Sequence, residues 1–188
     1  MESNKPKRKR KKNSTKAKSR QSGRYFNQEY KKIKKTKEGL STKFLNKTFK
    51  NMDNFIGVFP LDGLERLSIS NLPVKFIINL DLSNKPGSHW IGIYITDKII
   101  EIYDSLGFKN SNWGCNPKRI KHFLRKYRNT HHFFITPQLQ SKQSFLCGFY
   151  CIYFFIFRKK LSFNTCLDTF SSNLTTNDKL VLEQLFNL

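Results

Sequence analysis

Hydrophobic and polar positions divide the chain near residue 55. Beyond it, apolar residues gather into short blocks separated by polar turns. Residues 74–80 (VKFIINL) read as a buried strand. Residues 89–95 (HWIGIYI) and 98–104 (KIIEIYD) are two β-rich runs separated by Thr96 and Asp97, which predicts a hairpin. Asn116 and Pro117 open a helix, one as N-cap and the other at the first helical position. Ile120, Phe123, Leu124 and Tyr127 then fall at i, i+3, i+4 and i+7, one apolar stripe. Residues 131–136 (HHFFIT) predict another strand, which Pro137 ends, and a polar loop runs on to Ser144. A helix over about 147–159 and a closing helix from about Thr176 to Phe186 follow. Strands in succession with helices grouped behind them indicate an α+β fold, a central mixed or antiparallel sheet with helices packed around it.

Upstream the pattern changes. Residues 2–24 contain no large apolar side chain. Such a stretch cannot bury enough surface to offset the entropy of ordering, so disorder is expected over about residues 1–24. Phe44, Leu45, Phe49 and Met52 suggest one face of a short helix. The expected division is a basic tail and transition segment over 1–50 and a folded domain over 51–188.

Charge sharpens this division. The first 50 residues hold 19 Lys+Arg against 3 Asp+Glu, and the remaining 138 hold 16 against 10. The run Lys7, Arg8, Lys9, Arg10, Lys11 and Lys12 reads as a nuclear-localisation signal or a polyanion-binding arm. An arm contacting phosphates binds nucleic acid without sequence preference and with steep salt dependence. The plainer alternative is a solvated charge run with no dedicated partner. No apolar segment follows the basic start, so a secretory signal is not expected. The longest apolar run, 13 residues from Phe145 to Phe157, is too short to cross a bilayer. Cys115, Cys147, Cys151 and Cys166 show neither a CxxC pair nor zinc spacing, so neither a disulfide framework nor a metal site is expected.

Candidate chemistry lies in the folded part. If Thr96-Asp97 is the hairpin loop, Ile95 pairs with Lys98, and His89 then stands directly opposite Asp104. A carboxylate so placed orients an imidazole and stabilises its protonated form. A three-residue loop would instead put Ser105 there. Cys147 opens the apolar helix, where unpaired N–H groups and the helix dipole favour a thiolate. Its own N–H is available to an oxyanion, and Gly148 removes a side chain where substrate would approach. A buried core cysteine is the alternative, and Cys151 fits it better. Gln140, seven residues before Cys147, is a candidate second oxyanion donor, with Gln138 and Gln143 as rivals.

The segments GSHW (87–90), YDSLG (103–107) and QSKQSFLCGFYC (140–151) together resemble the adenovirus-type endopeptidases. These belong to the papain-like clan in reversed chain order, which includes the ubiquitin-like-protein proteases. FIGVFPLDGL (55–64) looks like the substrate-side entry segment of the viral group, and the resemblance covers roughly residues 55–160. It implies a cysteine protease domain with His89 as general base, Asp104 as orienting acid, Cys147 as nucleophile and Gln140 as oxyanion donor. Trp90 resembles the aromatic that narrows the substrate channel, and a core aromatic beside the site is the alternative. The resemblance further implies cleavage after Gly in Gly-x or Gly-Gly motifs of viral precursor proteins, in the host nucleus or virion. No cofactor is needed for the chemistry, and DNA is expected as tether or activator through the basic tail. Family members use a peptide disulfide-linked to a cysteine upstream of the oxyanion Gln; residues 131–137 have no Cys, which argues against such a cofactor here. Two other readings stand beside this one: a ubiquitin- or SUMO-type deconjugase, and a non-enzymatic DNA-condensing protein.

Overall fold

The computed structural model describes residues 8–108 and 117–188, with side chains over 21–108 and 118–188. Its elements in chain order are α1 (Arg8–Thr36), α2 (Thr42–Phe49), β1 (Phe55–Phe59), a 3₁₀ turn (Leu61–Glu65), β2 (Val74–Asn79), β3 (Trp90–Ile95) and β4 (Ile99–Tyr103). After these come α3 (Pro117–Arg125), β5 (His132–Ile135), α4 (Cys147–Phe157), α5 (Phe163–Leu167) and α6 (Leu174–Phe186). The sheet runs β1-β2-β3-β4-β5. Its outer pairs, β1 with β2 and β4 with β5, are parallel, and its two inner pairs are antiparallel. The fold is thus α+β with a mixed sheet, and no helix among the described residues is long and apolar enough to cross a membrane.

Alternation along β2, β3 and β4 gives the middle of the sheet two buried faces. One face carries Val74, Phe76, Ile78, Ile91, Ile93, Ile95, Ile100 and Ile102, and is covered by the 3₁₀ turn and by Ile120, Phe123 and Leu124 of α3. The other face carries Ile77, Trp90 and Tyr103 and is covered by α4, which is buried nearly all round. Ile77, Gly92 and Tyr103 form one cross-strand row. A Cβ at Gly92 would stand 3.0 Å from Phe155 Cζ. The missing side chain therefore lets α4 settle onto the sheet. At the end of α4, Arg158 Nη2 donates to buried Glu101 on β4 at 2.8 Å.

Three expectations need correction. The hairpin pairs Ile95 with Ile100, not with Lys98. Thr96 Oγ1 accepts from Lys98 N at 3.3 Å and Ile99 N at 3.1 Å, and Thr96 N donates to Ile99 O. That hydroxyl-capped turn puts Asp97 and Lys98 in the loop and shifts the register.

The expected disorder over 1–24 does not describe residues 8–24, which are helical in α1. Taken alone the stretch has nothing to bury, but it continues a helix anchored further on by Phe26 and Ile33, so it needs only propagation, not nucleation. Of the basic run, Lys7 lies outside the described residues; Arg8, Lys9, Arg10, Lys11 and Lys12 lie on α1, their side chains undescribed.

The boundary at 50/51 is not a structural one. Phe26, Ile33, Leu40, Phe44, Leu45 and Phe49 share one core with α4 and α6. At Gly23 an added Cβ would strike Phe186 O of α6, so α1 passes hard against that helix.

Candidate active site

Cys147 is the first residue of α4, and Leu146 before it offers no side-chain cap. At that position the Cys147 N–H has no acceptor within the helix. The thiol is buried and hydrogen-bonded by His89 and by the backbone N–H groups of Trp90 and Gly148. Burial pushes its pKa up. The bond to His89, the His89 charge and the two backbone donors outweigh this and hold it below the usual thiol value.

His89 immediately precedes β3. Its Nε2 lies 2.9 Å from Asp104 Oδ1, which leaves Nδ1 for the thiol. Burial pushes the imidazole down, but hydrogen bonds and charge from Asp104 and Cys147 raise it to about 9. A lowered thiol facing a raised imidazole favours the thiolate–imidazolium pair.

His89 and Asp104 meet without being opposite one another. In the observed register Gly92 pairs with Tyr103, so Asp104 continues opposite Ile91 and His89 reaches it diagonally. The pair expected from sequence is present, but not in the register from which it was expected.

Asp104 is fully buried and tightly held. Its N–H donates to Thr136 Oγ1 at 2.8 Å, that hydroxyl donates to Asp104 O at 2.7 Å, and Leu106 N donates to Oδ1 at 3.1 Å. Gly107 closes the turn at φ 73°, and a Cβ there would stand 2.7 Å from Gln138 N. The glycine of YDSLG thus admits both a left-handed turn and close approach of the loop that carries Gln140.

Gln140 is separated from its rivals. Gln143 is exposed, and Gln138 is half-buried with its amide donating to Gln140 O at 3.2 Å. Gln140 is buried and lines the cleft beside Cys147. Ser105 Oγ donates to its Oε1 at 2.6 Å, and Ser105 O accepts the Gln140 N–H at 2.8 Å. Nε2 donates to Ser144 O at 2.7 Å and makes a longer contact of 3.3 Å with Ser144 Oγ. From α6, Asn177 Nδ2 donates to Leu139 O at 3.1 Å. Tyr150 OH donates to both Leu139 O and Asp178 Oδ1.

The cleft, about 790 Å³, is walled on one side by residues 37–43 and on the other by residues 86–90 and the loop before Cys147. Trp90 lines it, and its Nε1 donates to Leu40 O at 2.8 Å. Gly148 serves differently from the substrate-approach role expected of it. It is buried, and a Cβ there would stand 3.0 Å from both Cβ and Cδ1 of Leu40. Its bareness makes room for Leu40, not for a ligand. Sequence reasoning missed the strap at residues 37–43 and the supports Ser105, Thr136, Ser144, Asn177 and Asp178. Only Ser105, next to Asp104 in YDSLG, carried a local signal.

Of the other cysteines, Cys151 is fully buried with its thiol pushed well above the ordinary value, and Cys166 is also raised by burial. Both fit packing roles. Cys115 lies outside the described residues. Compared by sequence, the chain matches no protein-family model and no curated protein.

Proposed function

We propose that this chain is a cysteine endopeptidase with Cys147 as nucleophile. The reading is carried by one observation: a helix-terminal thiol bonded to a histidine whose far nitrogen is fixed, 2.9 Å away, by a buried carboxylate. The chain order His89, Asp104, Gln140, Cys147 supports the papain-like clan in reversed order, adenovirus type.

The thiolate of Cys147 attacks the carbonyl carbon of the scissile peptide. The developing oxyanion takes hydrogen bonds from Gln140 Nε2 and the Cys147 N–H, each worth on the order of 3 kcal/mol of barrier. His89 passes its proton to the leaving nitrogen, the C–N bond breaks, and a thioester remains. His89 then takes a proton from water, whose oxygen attacks the thioester. The acid product leaves, and the Cys147–His89 pair is restored. Asp104 keeps its charge throughout and holds the ring in place.

Substrates are viral precursor proteins cut after Gly, with DNA as tether or activator. The test is hydrolysis of Gly-x-Gly peptides and of a co-encoded capsid precursor by the full chain. Cys147→Ala should abolish both while leaving the circular dichroism spectrum unchanged. Activity that survives this change would rule the reading out.

A further inference from the structure

The positive charge of the chain has a second concentration. Between Lys118 and Arg128 lie six Lys and Arg and no Asp or Glu. In the rest of residues 51–188, Lys+Arg and Asp+Glu are equal at ten each. The net charge of +6 on this part of the chain therefore belongs wholly to one stretch of eleven residues.

The fold displays that stretch on one surface. Ile120, Phe123 and Leu124 turn inward, while Lys118, Lys121, Arg125, Lys126 and Arg128 are exposed. Arg119 pairs with Glu65, and Lys126 Nζ lies 5.9 Å over the Phe123 ring. Among the described residues no other of these cations has a carboxylate within ion-pair distance. A cavity of about 270 Å³ between α3 and the 3₁₀ turn has Arg119, His122 and Lys126 on its wall, with Glu65 held by Arg119. Arg119 Nε is buried there without a hydrogen-bond partner.

We propose that α3 and the turn to Arg128 form a docking surface for duplex DNA on the folded domain, separate from the N-terminal basic run. The protein meets phosphates there and reads no base sequence. Charge complementarity with repeated phosphates selects the partner. No large apolar side chain of 118–131 is exposed; the exposed Phe133 and Ile135 lie on the neighbouring strand β5, opposite Ile100 and Ile102. An α-helix of about 10–12 Å diameter matches the major groove of B-form DNA, about 12 Å wide, and not the deep, narrow one of A-form RNA. The surface lies on the sheet face opposite α4, so DNA held there leaves the Cys147 helix uncovered.

The proposal does not depend on the protease reading and is tested by binding in a Cys147→Ala background. The full chain is titrated against two unrelated labelled duplexes of about 20 base pairs over a series of salt concentrations. With Lys7, Arg8, Lys9, Arg10, Lys11 and Lys12 changed to Gln, both duplexes should still bind. Adding Lys118→Gln, Lys121→Gln, Arg125→Gln and Lys126→Gln should reduce the log–log salt slope by about 0.9 for each phosphate no longer neutralised, up to about 3.6. The single change Lys121→Gln, at an exposed position, should lower the slope by about 0.9 and keeps the test open if the multiple variant misfolds. The proposal is overturned by an unchanged slope in the α3 variants. It is also overturned by loss of all duplex binding in the tail variant, by equal affinity for duplex RNA, or by binding to anionic vesicles in place of DNA.

Discussion

At the scale of residues, the site depends on one imidazole held between two partners. Its pKa of about 9 and the lowered pKa of Cys147 fix the expected pH profile. Raising pH through the thiol pKa creates the thiolate, and kcat/KM rises. Raising it past about 9 removes the His89 proton that the leaving amine needs, and kcat/KM falls. Asp104 contributes to the upper limit through its hydrogen bond and charge, against the downward push of burial. Asp104→Asn should therefore move the basic limb downward by about 1–3 pH units. A pH series of kcat/KM checks this, and a limb that stays in place would show that Asp104 does not set the imidazole. The residue types were legible in the sequence because a helix terminus lowers a thiol pKa and a carboxylate beside an imidazole orients it. The supports were not. Ser105, Thr136 and Asp178 are ordinary polar residues until the fold brings them to Gln140, Asp104 and Tyr150.

At the scale of elements, α4 and the strap at residues 37–43 position Cys147 together. Leu40 rests on Gly148 and accepts the Trp90 indole N–H, which ties the start of α4, the start of β3 and the strap at one point. Gly148→Ala should cost about 1–3 kcal/mol by overpacking. Leu40→Ala should cost about 2–5 kcal/mol through the cavity it leaves. The two should not add, because a shorter side chain at residue 40 makes room for the new methyl. The double variant should be at least about 0.5 kcal/mol more stable than the sum predicts. Urea unfolding of all four proteins measures this, and strict additivity would mean that Leu40 does not restrain Gly148. In the hairpin, too, a single side chain settles the geometry of an element. Two-residue turns at Thr96-Asp97 and at Asp97-Lys98 look alike to hydrophobic alternation, and the Thr96 hydroxyl chooses between them.

At the scale of the whole molecule, the N-terminal region is part of the domain. Six of its apolar residues, from Phe26 to Phe49, are buried in the core that surrounds α4. A chain beginning at residue 51 should lose cooperative thermal unfolding as well as peptide hydrolysis. Neutralising residues 7–12 should leave both intact. If the shortened chain melts like the full one, the N-terminal elements are dispensable to the core. Charge is organised at this scale too: one concentration lies at the N-terminus and the other on α3, on the sheet face away from the Cys147 helix.

The sequence by itself determined the α+β class, most strands and helices after residue 74, the excess of positive charge near the N-terminus and the residue types at the site. These rest on local signals: periodicity, caps and short spacings within one element. Only the folded structure decided the hairpin register, the choice of Gln140 over Gln138 and Gln143, the role of Gly148 and the burial of six apolar residues from Phe26 to Phe49 in the core. The register turns on the Thr96 hydroxyl within the turn, whereas the others turn on contacts between segments far apart in the chain, such as Leu40 with Trp90 and Ser105 with Gln140. Such contacts leave no periodic trace, because their energy is realised only when both segments are already in place.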